Sequence, residues 1–388
     1  MLIEPKCYRN YIYILVYWIL ELFISIIKNL IYVTKTIDIG LINDLLNEYL
    51  QLVILVISDL LAGFLVIYTK SSFRKKDETK RKRAKGEIIL IYKSPIDVNK
   101  KLKLLILISF LDFIARSPYF LFSLINDSRA LYRYQTDIII AIDIFMRYFC
   151  SKIILNTKIY KHHSQAIKIN IIGFLILFFI DLFGIIEYND GVVKQILFLI
   201  FLLSMAICYP IADTFNKILL SDDFLLPHTL MFDRGLIEFV ILLIFSLILF
   251  ITGNLNFEYK STINKIYYIL IKLGYTIISF VKAFCLMKII YIFTSQYVSF
   301  LIVSETFAGT VNLLTNYFID RKNIPCIYQD VNNNLLAIIL ITIELLSQFI
   351  IIFGTLMYNE MIIINKWGLN EYTRIGLLDN ILELYKIL

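Results

Sequence analysis

Four pairs of oppositely charged residues stand four positions apart inside stretches that are otherwise apolar. They are Asp112/Arg116, Asp143/Arg147, Asp213/Lys217 and Arg234/Glu238. Residues at this spacing lie on one face of a helix, where the two charges partly neutralise each other. The last two pairs lie near predicted segment ends and are interpreted as structural. The first two lie deeper and leave a structural and a functional role equally open.

The segment Thr136–Leu155 reads as a membrane span, although Asp143 and Arg147 lie near its middle. A charge at the centre of a bilayer costs roughly 2.5–3.5 kcal/mol on insertion scales, so such residues usually face a protein interior or a watery cavity. The segment therefore predicts a polar path inside a membrane protein.

The cations on this predicted path favour an anionic ligand, because the guanidinium fork matches phosphate and carboxylate. We predict that the substrate is bound by a set of charged residues within the spans: Arg116, Arg147, Lys282, Asp143 and Glu305.

Several acids have no basic partner along their own helix. A carboxylate in a medium of low dielectric constant is easier to protonate, which would suit proton coupling. We predict this role for three such acids, Asp59, Asp181 and Glu344, and also for Asp112, which has Arg116 as its partner. The same acids can instead pair with a base on another helix, and the sequence leaves both readings open.

Other chemistry finds little support. The five cysteines are scattered without CxxC spacing, so no metal site, disulfide framework or cofactor is predicted. The histidines, His162, His163 and His228, are expected in loops, and no GxSxG, HExxH or Gly-rich phosphate loop occurs. We expect the chain not to be an enzyme.

The composition is that of an integral membrane protein. The chain has 388 residues, of which 59% are hydrophobic and 18% charged, and its mean hydropathy is +0.75. Soluble proteins carry about 25% charged residues. The net charge of +7 does not indicate nucleic acid, because much of it lies in one loop. The lipid bilayer is the expected partner.

Ten apolar stretches approach the roughly 20 residues that a spanning helix needs. They lie near residues 11–33, 50–68, 104–124, 138–155, 169–188, 196–219, 236–253, 266–290, 297–319 and 335–358. The basic loop 71–103 contains FRKKDETKRKRAKGE, and such loops stay cytoplasmic. Ten spans place the N-terminus and the tail 361–388 on the same side.

A short pattern closes the fifth and tenth spans. Phe183–Asp190 and Phe353–Glu360 both fit F-G-x-x-x-Y-N-acid. Halves with an odd number of spans insert with opposite orientation, as in many secondary transporters. We predict an all-α membrane protein with two inverted five-helix repeats, 1–190 and 191–360. Chance competes with this interpretation, because Phe, Tyr and Asn are abundant.

Two segments carry a family resemblance. RYFCSKIILNTKIYKHHSQAIKINIIGFLIL looks like the junction of the fourth and fifth spans in the drug/metabolite transporter superfamily, and LLSMAICYPIADTFNKILL is similar to its sixth span. The superfamily includes nucleotide-sugar and sugar-phosphate carriers. The resemblance implies a cavity lined by spans three, four, eight and nine, and an endomembrane such as Golgi or ER rather than the plasma membrane. The basic loop 71–103 departs from the family pattern, and a homodimer is left open.

The predicted function is a multi-pass transporter of a small anionic metabolite, such as a nucleotide-sugar or sugar-phosphate, working by alternating access. The main alternative is a membrane receptor or structural membrane protein, since a fold does not fix a function. An intramembrane enzyme ranks third, because its catalytic roles cannot be filled.

Overall fold

The computed structural model describes residues 12–21, 23, 44–69, 98–118, 120–121, 136–156, 160–187, 192–222, 225–252, 262–292, 334–364, 366, 368–369 and 373. It is 90% helix and contains no strand in this part of the chain. The predicted all-α class is therefore confirmed for the described residues.

Nine helices are described. They are α1 (Ile12–Glu21), α2 (Asp44–Leu60), α3 (Val98–Arg116), α4 (Thr136–Ile153), α5 (Lys161–Glu187), α6 (Val192–Asp222), α7 (Pro227–Ile251), α8 (Thr262–Ile292) and α9 (Asn334–Tyr358). After α2, a turn at Leu61 leads into a further helical stretch that ends at Thr69.

Five helical segments among these residues are long and apolar enough to cross a membrane. They are Glu48–Thr69, Lys161–Ile180, Pro227–Ile251, Ile269–Ile292 and Ile341–Tyr358, at the second, fifth, seventh, eighth and tenth predicted spans. Helices α3, α4 and α6 occupy the third, fourth and sixth, and α1 is a shorter apolar helix within the first. The ninth predicted span lies outside the described residues. These helices are consistent with a membrane protein, whereas the ten-span count stays a prediction.

The helices group into two compact units. The first unit holds most of α1, then α2, α3, the end of α6 from Ile211, α7 and α8. The second unit holds α4, α5, the start of α6 up to Pro210, and α9. Each unit contains helices from both predicted halves. The division of the chain by contacts therefore differs from its division into the predicted repeats. The two repeats stay a prediction.

The first unit is centred on α2 and α7. Helix α2 packs against α7 and α8, and α7 also contacts α3 and α8. Its apolar core joins Tyr49 and Leu52 of α2 to Phe113 of α3 and Leu242 of α7. Close packing of these side chains fixes the helix faces that meet, and with them the polar residues one or two turns away.

The second unit is built on the antiparallel pair α5 and α9. Gly354 lies against Asn170, and three residues further along α5, Gly173 lies against Ile351. A Cβ atom at Gly173 would be 3.0 Å from the carbonyl oxygen of Ser347. The glycines therefore allow a closer backbone approach than larger residues would.

Candidate functional site

Five ionisable side chains from three helices meet in the first unit, and we call them the charge cluster. Four of them are buried, and the side chain of Arg116 is 9% exposed. The charge cluster consists of Asp59 from α2, Asp112 and Arg116 from α3, and Arg234 and Glu238 from α7. Asp59 and Glu238 are 0% exposed, and Asp112 and Arg234 are 3% exposed. Such burial removes water as a partner, so the charges must be balanced by one another.

Arg116 contacts all three acids. Its Nη2 atom lies 2.9 Å from Asp59 Oδ2 and 2.7 Å from Asp112 Oδ2. Its Nη1 atom donates a hydrogen bond to Glu238 Oε2 at 3.1 Å. One guanidinium thus joins α2, α3 and α7.

Arg234 approaches the same three carboxylates. Its Nη2 atom donates to Asp59 Oδ2 at 2.7 Å, and its Nη1 atom lies 3.4 Å from Asp112 Oδ2. Its Nε atom lies 3.3 Å from Glu238 Oε1. The contacts to Asp59 are shorter than those to Glu238 for both arginines, so Glu238 is the more weakly held of these two acids.

The charge cluster has one carboxylate too many. Three ionised acids against two guanidiniums leave a formal charge of −1. Asp59 Oδ1, Asp112 Oδ2 and Glu238 Oε1 accept no hydrogen bond within the described residues, although the last two lie at ion-pair distance from an arginine. One oxygen from each acid lies within 4.8 Å of the others, close enough to hold a metal ion. Because the guanidiniums already bridge these carboxylates, a proton is the simpler partner for the excess charge.

A glycine brings the charge cluster together. A Cβ atom at Gly235 would lie 3.0 Å from Asp59 Cβ and 3.2 Å from the backbone nitrogen of Leu60. The missing side chain lets α7 approach α2 beside the neighbouring Arg234. The position of Gly235 therefore decides how closely the two helices approach at Asp59.

The structure brings together three of the predicted site residues, Asp59, Asp112 and Arg116. Asp143 and Arg147 form a buried pair on α4 in the second unit. Arg147 donates through Nε to Asp143 Oδ2 at 2.7 Å and through Nη2 to Oδ1 at 3.2 Å. The predicted four-residue pairs on α3 and α4 are therefore confirmed as ion pairs.

The remaining predicted site residues are spread over the chain. Lys282 of α8 places Nζ 5.0 Å from the centre of the Tyr17 ring in the first unit. Glu344 is a buried residue of α9 in the second unit. Asp181 lies on α5, but its side chain is outside the described residues, as is all of Glu305.

Arg234 and Glu238 are the site residues that the sequence interpretation placed among structural pairs. The seventh span was predicted to begin near Leu236, which left both at its edge, whereas α7 begins at Pro227. Proline is frequent at the first position of a helix, where no donor is lost. Pro227 is therefore the sequence signal for a helix that begins there. A helix with this start contains both Arg234 and Glu238.

The histidines were expected in loops, and this expectation is wrong for all three. His162 and His163 lie in the first turn of α5, and His228 is the second residue of α7. His162 is buried at 3% exposure, and His228 Nε2 lies 3.1 Å from Thr69 Oγ1. The flanking charges of KIYKHHSQ suggested a solvated loop, but the apolar helix begins within that run.

The chain matches no protein-family model and no curated protein. The resemblance to the drug/metabolite transporter superfamily therefore stays a prediction from the two quoted segments.

Proposed function

We propose that the chain is a multi-pass secondary transporter that moves a small anionic metabolite by alternating access, with proton coupling at the charge cluster. The observation that carries this proposal is the excess carboxylate buried among Asp59, Asp112 and Glu238 with two arginines. Ionisable groups inside a membrane are costly and usually serve function.

A purely structural ion network does not need the third acid. Two acids and two arginines would be neutral, whereas the extra carboxylate leaves a buried charge that must be compensated. A site that takes up and releases one proton accounts for the excess. We assign that proton to Glu238, because its contacts to both arginines are longer than those of the equally buried Asp59. Neither contact of Glu238 is as short as the one between Asp112 and Arg116.

Coupling follows from competition for Arg116. While Glu238 is ionised, its carboxylate occupies the Nη1 atom of Arg116. Protonation weakens that contact, since a charge-assisted hydrogen bond is roughly twice as strong as a neutral one. The freed N–H group can then donate to a phosphate or carboxylate of the substrate. Proton and anion therefore bind together and move in the same direction.

The second buried pair fits the same scheme. Arg147 is held by both oxygens of Asp143, so a substrate anion would replace an internal carboxylate there too. Lys282 and Glu305 are the other two residues that the sequence predicts to bind the substrate. In the superfamily that the two segments resemble, cargo of this kind includes nucleotide-sugars and sugar-phosphates, and endomembranes are the expected location.

The packing of α5 against α9 supports the inverted repeat. If the register set by Gly173 and Ile351 continues four residues further along α5, Leu177 lies opposite Ser347, and both residues are buried. The number of residues from 177 to 347 equals the number from Gly184 to Gly354. Positions 177 and 347 are therefore equivalent in the two predicted repeats. A two-fold axis in the membrane plane makes equivalent helices cross antiparallel at equivalent positions.

Uptake into liposomes tests the function. Purified protein is reconstituted, and accumulation of radiolabelled nucleotide-sugars, sugar-phosphates and a neutral sugar is compared with protein-free liposomes under an imposed pH gradient. We expect saturable, gradient-dependent uptake of at least one anion and none of the neutral sugar. A folded protein that binds such an anion without moving it would instead favour a receptor. Uptake of the neutral sugar alone would contradict the anionic substrate.

A further inference from the structure

A second cluster of metal-binding side chain types lies outside the charge cluster, in the second unit. His162 and His163 stand in the first turn of α5, and Glu360 follows the end of α9 by two residues. One ligand atom from each of the three lies within 4.8 Å of the others. We infer that His162, His163 and Glu360 form a binding site for a divalent transition-metal ion of the zinc type.

The surroundings of the His162 imidazole are the main evidence for this site. Its side chain is buried, and neither ring nitrogen has a hydrogen-bond partner among the described residues. A buried polar group without a partner is costly, and native structures rarely leave one unexplained. The Nε2 atom points at Glu360, with 3.5 Å between it and Oε1. Two ligands bound to zinc at about 2.1 Å with tetrahedral geometry lie about 3.4 Å apart.

The backbone at Glu360 is also unusual. Its φ of 57° lies in the left-handed region, which glycine adopts most readily at the end of a helix. Its amide donates to the carbonyl of Met357 at 3.2 Å, which keeps the turn tight. A carboxylate occupies a position where glycine would be less strained, and it lies beside a buried imidazole.

His163 would supply the third ligand, but metal binding competes with a hydrogen bond that its ring already accepts. Its Nδ1 atom accepts from the backbone amide of Tyr160 at 3.2 Å. A metal bound at Nδ1 would replace that amide, and a metal bound at Nε2 would move the ring proton to Nδ1 and exclude the same donor. His163 is therefore expected to contribute less to affinity than His162.

The ligand types select the ion. Two imidazoles with one carboxylate suit Zn²⁺, Co²⁺ or Ni²⁺, whereas Mg²⁺ and Ca²⁺ prefer oxygen ligands throughout. Three protein ligands leave a fourth tetrahedral position for water. A bound ion would join the start of α5 to the segment that follows α9, and so stabilise the antiparallel pair.

Zinc binding to the full-length protein in detergent tests the site. The protein is purified without a polyhistidine tag, stripped with EDTA and titrated with Zn²⁺, while Co²⁺ absorption reports tetrahedral geometry. We expect one Zn²⁺ per chain and a higher melting temperature with Zn²⁺ but not with Mg²⁺. His162→Ala and Glu360→Gln should each raise the Kd for Zn²⁺ about tenfold or more, the lower limit for losing a group that supports a metal site.

His228→Ala is the matched control, because His228 lies in the first unit and contacts Thr69 instead. It should leave the Kd unchanged. A melting transition in EDTA shows whether each variant is folded. If His162→Ala is not folded, the test rests on Glu360→Gln alone. Absence of stoichiometric Zn²⁺ binding, or equal Zn²⁺ affinity in wild type, His162→Ala and Glu360→Gln, would overturn the inference.

Discussion

Arg116 and Arg234 share the same three carboxylates. The stability of the charge cluster should therefore depend on its net charge more than on any single contact. Removing an arginine leaves three acids against one base. Removing an acid leaves two against two. The two kinds of change therefore differ in their effect on the charge balance, although each deletes one charge.

Arg234→Gln should lower the free energy of unfolding by about 3–5 kcal/mol, the scale for removing one partner of a buried ion pair. Glu238→Gln should change it by about 1 kcal/mol or less, because the lost hydrogen bonds are offset by relief of the excess charge. Unfolding monitored in detergent compares the two variants directly. Equal losses in both would contradict the excess-charge interpretation of the charge cluster.

Arg147 is the residue at which an anion-binding role can be separated from a structural one. Arg147→Gln leaves Asp143 without its bidentate partner and should weaken substrate binding by about 1–3 kcal/mol, the scale of a lost charge-assisted hydrogen bond. Adding Asp143→Asn restores neutrality. If Arg147 binds the substrate, the double variant should recover melting temperature but not uptake. Full recovery of uptake would leave the pair as a structural element only.

At the scale of elements, glycines decide how closely helices approach. Gly354 lies against Asn170, and a Cβ atom there would also come within 3.1 Å of the carbonyl of Ala166. The neighbouring Tyr148 and Tyr358 rings stack with 3.9 Å between their centres, and Asn170 Nδ2 donates to the Tyr148 hydroxyl at 3.0 Å. Tyr148 of α4 therefore contacts both helices of the α5 and α9 pair.

Gly354→Ala should therefore lower the melting temperature, with a loss of about 1–3 kcal/mol as is typical of overpacking. Gly274→Ala on α8 is the matched control, since apart from its own helical turn no atom of the described residues lies within 4 Å of the position that its added methyl group would take. That change should be neutral or stabilising by up to about 1 kcal/mol from helix propensity. A Gly354→Ala protein as stable as the control would argue against the close helix crossing.

The sequence predicted the all-α class and the five described helices that are long and apolar enough to cross a membrane, because apolar runs of membrane length are distinctive. It also predicted Asp112/Arg116 and Asp143/Arg147, since a pair at four-residue spacing is local. It did not predict that Asp59 meets two arginines from α3 and α7, because contacts between helices depend on which faces pack. Gly235 and Pro227 each influence that packing, yet neither is distinctive without the tertiary contacts.

At the scale of the whole molecule, both units draw helices from both predicted halves, and α6 belongs to the second unit up to Pro210 and to the first unit from Ile211. The sequence predicts ten spans in order, and this count stays a prediction. It could not predict this interleaving, because hydropathy carries no information about which spans become neighbours. The charge cluster lies wholly in the first unit, so proton coupling can be tested through its own residues.

The most direct test is accumulation of the transported anion against a pH gradient in liposomes, with the membrane potential clamped. One proton moving with one monovalent anion predicts a concentration ratio of about tenfold per pH unit, the equivalent of about 1.4 kcal/mol. Wild-type protein should reach that ratio, whereas Glu238→Gln should only equilibrate the substrate across the membrane. Accumulation by Glu238→Gln equal to that of wild type would contradict proton coupling at the charge cluster.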